Sequence, residues 1–446
     1  AFVSSREIGS QNSELRATNS ELGAKARRFK PYPSYENSGV DWLGRIPAGW
    51  RTVKIKRVCT LAYGDSLPTD VRVEGDVEVY GSNGPVGTHD RANTLGPCLV
   101  IGRKGSFGKV NYSPRPVFAI DTTFFVDRRF TNVDIRWLYY VLSNAQLDSA
   151  TKDSAVPGLG REDAYRRDVC VCSLAEQRAI AAFLDRETAR IDALVAKNER
   201  LVDLLWEKRT AIITRAITKG LDPSIATKAS GVAWLGEIPK HWDIVAMWRI
   251  ATATGGSTPS KDEPGYWDGD IPWVSPKDMK RRFIDSSEDA ITDRAIAETG
   301  IKLIAPPVVL IVVRGMILAH TFPVAITTVP VTINQDVKAL RFGRGVDPAF
   351  IAWVFEGTGN GLLSALVEEA AHGTRAIRMD QWRSVTVPVP PESEQRAISE
   401  FLDRKTARVD ALVAKISDAI DRLKELRTAL ISATVTGKID VLDEAA

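Results

Sequence analysis

Residues 176–197 read EQRAIAAFLDRETARIDALVAK, and residues 394–415 read EQRAISEFLDRKTARVDALVAK. Eighteen of these 22 aligned positions are identical, at an offset of 218 residues. A repeat this long marks a duplicated architecture. Each copy opens a proline-free stretch with helical periodicity, from about Leu174 to Thr218 and from about Ser393 to Thr436. Ser393 suits an N-cap. In the first stretch Leu184, Ile191, Leu194, Leu201, Leu205 and Ile212 advance in steps of seven, three and four. Their equivalents in the second are Leu402, Val409, Leu412, Ala419, Leu423 and Leu430. This is an a/d-like seam. Neither helix is apolar all round, so each needs a partner along one face. The other copy fills that place, as an intramolecular antiparallel coiled coil about 60 Å long at about 1.5 Å per residue. Asn198 takes a seam position where the second helix has Ile416. It either fixes register as a buried Asn or sits at a solvated edge. Asp185, Arg186 and Arg190, with Asp403, Arg404 and Arg408, read as solvated outer faces whose repetition suits a repeated partner.

A second pair of segments repeats. Residues 38–50 read SGVDWLGRIPAGW and residues 230–242 read SGVAWLGEIPKHW, with nine of 13 positions identical at an offset of 192. The chain is therefore two tandem halves: a Trp-rich opening, a variable region, then a long helix. The second variable region is longer by 26 residues, the difference between the offsets 218 and 192. Matched ends around diverged middles suggest one scaffold carrying two specificities. In the opening, Trp42, Leu43, Ile46 and Trp50 are expected to bury, with Gly44 and Pro47 shaping a turn.

The first variable region, roughly 51–175, is turn-rich with short strands at Cys98 to Gly102, Lys109 to Tyr112 and Val117 to Val126, and a helix at Ile135 to Ala145. Its segment GRKGSFGKV (Gly102 to Val110) lacks phosphate-loop spacing: five residues separate Gly102 from Gly108, and Val110 follows Lys109. It reads either as a basic loop against a nucleic-acid backbone or as a hairpin with solvated charges. The second region, roughly 243–393, holds GGSTPSKDEPGYWDGDIPWVSPKDMKRR (Gly255 to Arg282), a strand at Ile271 to Val274, the cluster Lys277, Lys280, Arg281, Arg282, and a helix at Pro348 to Phe355. A strand from Val308 to Val313 leads to Arg314-Gly315, placed like the first region's basic loop. The apolar run Leu303 to Leu318 reads as buried strands. PGLGREDAY (Pro157 to Tyr165) and GTRAIRMDQW (Gly373 to Trp382) are counterparts that lie just before the long helices.

The totals exclude much. At 446 residues the chain holds more than one domain. A net charge of +3 does not by itself argue for nucleic acid. Cys59, Cys98, Cys170 and Cys172 have no CxxC spacing and suit reduced thiols in a cytoplasmic protein. No apolar run reaches the length of a membrane span. Residues 1–30 read as a polar leader. The four histidines have no metal-ligand spacing, and no nucleophile elbow, HExxH, Walker A, dinucleotide fingerprint or Asn/Asp-Pro-Pro-aromatic tetrad is present. The residues point to no catalytic centre, no cofactor and no metal on this chain.

The two EQRAIxxFLDRxTAR helices, the two GVxWLGxIPxxW openings, the GGSTPS…YW…IPWVS segment and the two basic glycine loops together resemble the specificity subunit of a type I restriction-modification system, over nearly everything after residue 30. That resemblance implies an α+β fold. Two mixed α/β target-recognition domains are separated by two long helices in an antiparallel coiled coil, with a pseudo-twofold internal repeat. The expected divisions are 31–175 and 223–393 for the recognition domains and 176–222 and 394–446 for the spacer helices. Each domain would read one half of a bipartite asymmetric site in double-stranded DNA. The helices would set the gap and dock two methylase (modification) subunits. S-adenosylmethionine, ATP and Mg2+ would lie on those and on the restriction/translocase subunits. The first copy's CVCSLAEQ departs from the proline-rich VPVPPESEQ of the second, which puts the start of the first helix in doubt. Arg103, Lys104 and Lys109, and Lys277, Lys280, Arg281, Arg314, Arg375 and Arg378, are the expected DNA contacts. An enzyme in its own right and a purely structural scaffold are the competing classes. Labelled methyl transfer and salt-sensitive DNA binding, respectively, would tell them apart.

Overall fold

The computed structural model describes residues 30–148, 158–369 and 375–442; the polar leader, except Lys30, lies outside them. The chain forms two compact units, one of residues up to 198 together with those from 418 onward, the other of residues 199–417. Each long helix contributes one of its halves to each unit.

In the first unit a four-stranded antiparallel sheet runs in the order Ala62–Tyr63, Thr123–Asp127, Cys98–Gly102, Val110–Ser113. Cys98–Gly102 is buried at every position, as a strand covered on both faces requires. Helix Ile135–Asn144 covers one face with Trp137, Leu138 and Val141, set against Leu99, Ile101, Phe124 and Val126. The Asp134 side chain caps that helix by accepting from the Trp137 amide at 2.8 Å. A three-stranded sheet of Val77–Gly81, Gly84–His89 and Phe118–Ala119 stands beside it.

The second unit repeats this plan with one strand more. Its sheet order is Ala251–Gly255, Val337–Phe342, Val309–Val312, Val324–Thr327, Phe283–Ile284. Helix Pro348–Leu366 starts on a proline, the residue best suited to a first helical position, and lays Phe350, Ile351, Trp353 and Val354 into the core. Only Val309–Val312 of the long apolar run is a strand. Leu303 at its start and Met316 near its end are exposed, while Ile304 and Leu318 beside them are buried.

The long helices span Leu174–Lys219 and Glu392–Val435. The first has a capping box. The Ser173 hydroxyl accepts from the Glu176 amide at 3.3 Å, and the Glu176 carboxylate accepts from the Ser173 amide at 3.3 Å. The second starts before Ser393, which therefore lies in the first turn and not at the cap; Pro391 offers its carbonyl to the Glu394 and Gln395 amides there.

The helices run antiparallel, and ion pairs show it. In the first unit Arg427 meets Asp192 at 2.9 Å; in the second Arg209 meets Asp410 at 3.0 Å. The repeat offset exchanges these pairs, since 192 + 218 = 410 and 209 + 218 = 427. Of the seam residues, Leu184, Ile191, Leu201, Leu205, Leu402, Val409 and Leu423 are buried, and Leu194, Ile212, Leu412 and Leu430 are half-buried. At the last rung of each helix the buried residue is the next one along, Ile213 and Ile431. There each helix leaves the coil and turns its face to a domain core. Asn198 is 2% exposed, and its amide nitrogen has no hydrogen-bond partner.

Candidate nucleic-acid interface

The repeated sequence is explained first by what it holds in place. Glu176 accepts from the Trp50 indole at 3.2 Å, and Glu394 accepts from the Trp242 indole at 3.1 Å. Buried Gln177 takes the Asp134 amide at 2.9 Å and donates to the Cys172 carbonyl at 2.9 Å. Gln395 does the same with the Asp347 amide at 2.8 Å and the Pro390 carbonyl at 2.7 Å. Thr188 and Thr406, both buried, bond back to the carbonyls of Leu184 and Leu402. The opening tryptophans, the domain helix and the long helix are thus clipped together in the same way in each unit. Trp42 departs from expectation: it is 53% exposed while Leu43, Ile46 and Trp50 are buried, although its counterpart Trp234 packs partly against its own core.

Asp185 and Asp403 lie on part-solvated faces, yet each carboxylate is bonded to its own domain. Asp185 accepts from the Tyr140 hydroxyl and from Arg136, both at 2.6 Å. Asp403 accepts from the Trp353 indole at 3.1 Å and pairs with Arg282 at 3.3 Å. Arg282 also pairs with Glu356 at 3.1 Å and lies 3.6 Å over the Trp353 ring. Burial lowers the Arg282 guanidinium from its ordinary value, and the two carboxylates oppose that shift. Arg282 is therefore structural, unlike its neighbours in the sequence cluster. Arg186 and Arg404 do lie on exposed faces.

Each unit joins its basic loop to the segment preceding its long helix. Lys104 bridges Gly158, and the Leu159 amide donates to the Arg103 carbonyl at 2.9 Å. Arg314 bridges Ala376, and the Gly315 amide donates to the Arg375 carbonyl at 2.9 Å. Two segments read as counterparts in sequence thus form one edge in each domain. Pro157, Gly373 and Thr374 lie outside the described residues.

At the first edge, Arg103 donates to the Asp121 carbonyl at 2.8 Å and lies 5.2 Å from the centre of the Tyr63 ring. Lys104 is exposed. Lys109 turns its amine to the Asn83 carbonyl and side-chain oxygens, both at 2.8 Å. At the second edge, Arg314 pairs with Asp336 at 2.6 Å, Arg375 is exposed, and the Arg378 amide donates to the Leu366 carbonyl at 3.0 Å. Lys277 and Arg281 belong to a separate cluster, paired with Glu288, Asp289 and Asp285, beside exposed Lys280. No hydrogen bond or ion pair joins that cluster to the Arg314 edge among the described residues.

Two features of the site lay outside the sequence reading. Arg161, within PGLGREDAY, lies 5.0 Å from the Tyr63 ring. Gly64 and Gly256 permit a close crossing: a Cβ on either would sit 2.1 or 1.8 Å from the carbonyl oxygen of Ile120 or Ile333. The paired glycine of GGSTPS was the available signal for the second of these.

The four thiols are free and buried. Burial pushes Cys59 up to about 12 and Cys170 up to about 11, which keeps both protonated and poorly nucleophilic. Among the described residues no cluster of His, Cys, Asp and Glu could hold a metal, and no helix is long and apolar enough to cross a membrane.

The chain is 34% identical over 258 residues to the EcoR124I/EcoR124II type I restriction enzyme specificity subunit of Escherichia coli, covering 57% of each chain. It is 30% identical over 173 residues to the MjaIX specificity subunit of Methanocaldococcus jannaschii, covering 38% of each. The matches thus span little more than half of the first relative and less of the second. A solved chain from a structural account of complex assembly and conformational transition of the type I R-M system has the same fold at a TM-score of 0.65 with 15% identity, over 87% of this chain and 98% of that one. A type I restriction modification DNA specificity domain matches twice, over residues 47–201 and 239–422, one match on each tandem half. With both halves matched and the repeated clips accounting for why they are alike, the chain belongs to the type I restriction-modification DNA specificity family.

Proposed function

We propose that the chain is the DNA sequence-recognition subunit of a type I restriction-modification complex, and that it carries out no catalysis itself. The two target-recognition domains, 31–175 and 223–393, each read one half of a bipartite asymmetric site. The spacer helices, 176–222 and 394–446, set the unread gap and dock two methylase subunits. Those partners and the restriction/translocase subunits carry S-adenosylmethionine, ATP and Mg2+ and perform adenine methylation, translocation and cleavage. The observation that supports this most is the pair of basic edges. Both are built by the same backbone bridge, Lys104 to Gly158 and Arg314 to Ala376, yet they present different side chains. Two unlike readers on one scaffold suit a site whose halves differ, since base edges are told apart by the side chains offered to them. Arg103, Lys104, Lys109, Lys277, Lys280, Arg281, Arg314, Arg375 and Arg378 supply the contacts in this reading, most of them to phosphate.

Genome-wide mapping of methylated adenines in cells carrying the complete system tests it. The expected result is a two-part motif with a fixed gap. A four-residue insertion between Thr188 and Ile191, about one helical turn, should keep both half-motifs and lengthen the gap. An unchanged gap would sink the ruler; the absence of any motif would sink the recognition role.

A further inference from the structure

We propose that Tyr63 is a positioning residue for DNA reading by the first unit, holding Arg103 and Arg161 as a preorganised fork; this rests on the DNA-recognition role above. Tyr63 lies on the outer strand of the four-stranded sheet, is 48% exposed, and leans on Phe124 at 5.0 Å between ring centres. Arg103 and Arg161 lie 5.2 and 5.0 Å from its ring centre. They reach it from segments 58 residues apart (161 − 103), Arg161 opening the short helix Arg161–Tyr165, and the bridge at Lys104 and Gly158 brings these segments together.

These two arginines differ from three of the expected contacts in what neutralises them. Arg314, Arg281 and Lys277 each sit on a carboxylate. Arg103 has a backbone carbonyl, and the Arg161 Nε is shut off from solvent with no hydrogen-bond partner. Neither forms an ion pair among the described residues. A ring that stacks a guanidinium restricts its rotamers without consuming its charge or all of its donors. Two such cations beside an exposed phenol suit an anionic, acceptor-rich partner. In DNA that is phosphate for one arginine and the N7/O6 edge of a guanine for the other. An arginine already held in place loses less freedom on binding, so the ring contributes to affinity and to base choice without touching a base.

At the second unit's edge Arg314 meets Asp336 in place of a ring. Gly255, opposite Lys338 as Tyr63 is opposite Phe124, takes the place of Tyr63, and Met316 nearby is 63% exposed. The fork is therefore specific to one half-site.

The test uses the full chain assembled with its methylase subunits, on duplexes carrying the mapped site and every single base-pair change in each half. Tyr63→Leu keeps bulk against Phe124 and removes the aromatic faces; Tyr63→Phe keeps the faces and removes the hydroxyl. Tyr63→Leu should weaken binding to the parent site by about tenfold and flatten base preference at one or two positions of one half-site, leaving the other half-site unchanged. Tyr63→Phe should bind and discriminate like the parent protein. Parent-like discrimination in Tyr63→Leu overturns the proposal. So does a loss equal for all sequences, or a Tyr63→Phe variant as impaired as Tyr63→Leu. If the unsubstituted complex shows no sequence preference, the recognition role itself fails instead. Should Tyr63→Leu unfold, the paired change Arg161→Lys, which keeps charge and loses the planar stack, decides the same question.

Discussion

Asp185 and Asp403 occupy the same place in the two copies of the long helix, and each is met by an arginine from a different part of its own domain. Arg136 comes from the domain helix; Arg282 comes from a loop after the strand Trp267–Val274. The aromatic partner follows the repeat, Tyr140 in one unit and Trp353 in the other, while the cation does not. What selection of geometry requires at this point is a neutralised carboxylate joining the long helix to its domain, and either route supplies it. The two basic edges differ in another way. Their backbone bridges match, but one carries a ring between two arginines and the other an arginine on an aspartate. Scaffold positions converge on one arrangement; the basic edges keep the backbone and change the chemistry.

If the clips are equivalent, breaking either should cost the same. Trp50→Ala and Trp242→Ala each remove a buried indole bonded to the opening glutamate of a long helix, and each should destabilise its unit by about 3–5 kcal/mol. Denaturant unfolding followed by hydrogen exchange in each unit would measure this. A tolerated change on one side only would end the equivalence.

The two arginines should differ in degree. Arg282 stacks closely on Trp353 and serves two carboxylates, whereas Arg136 lies 4.3 Å from the Tyr112 ring centre and serves one. Arg282→Ala should cost about 2 kcal/mol and Arg136→Ala about 1 kcal/mol, both partly screened by solvent. Reversed magnitudes in equilibrium unfolding would mean that the stack on Trp353 is not what matters.

The smallest expected effect is a gain. Asn198 is buried with its amide nitrogen unpartnered where the second helix has Ile416. Asn198→Ile should therefore stabilise the chain by about 1 kcal/mol, seen as a raised thermal midpoint. A loss of stability, or a change in the association state, would instead give Asn198 the register-fixing role that a polar seam residue can have.

The long helices and their pairing were legible because a heptad seam is written in consecutive residues and because duplication displays it twice. The central strands were legible too: Cys98–Gly102 and Val309–Val312 are short, apolar and bounded by turn residues. The domain partners of Asp185 and Asp403 were not, because an acidic residue on a helix has the same local signature whether it faces water alone or also an arginine brought by another element. Arg282 was hidden for the same reason inside the cluster Lys277, Lys280, Arg281 and Arg282.

The sequence by itself determined the duplication, the antiparallel spacer and the division of each half into fixed ends and a variable middle. These follow from periodicity and self-similarity, which need no third dimension. Only the tertiary structure decided which of the expected cations pair with carboxylates, as Lys277, Arg281 and Arg314 do. It also placed Tyr63 between Arg103 and Arg161. Those outcomes depend on strand order, which puts residues 98 positions apart (161 − 63) around a single ring, and no local pattern encodes such a meeting.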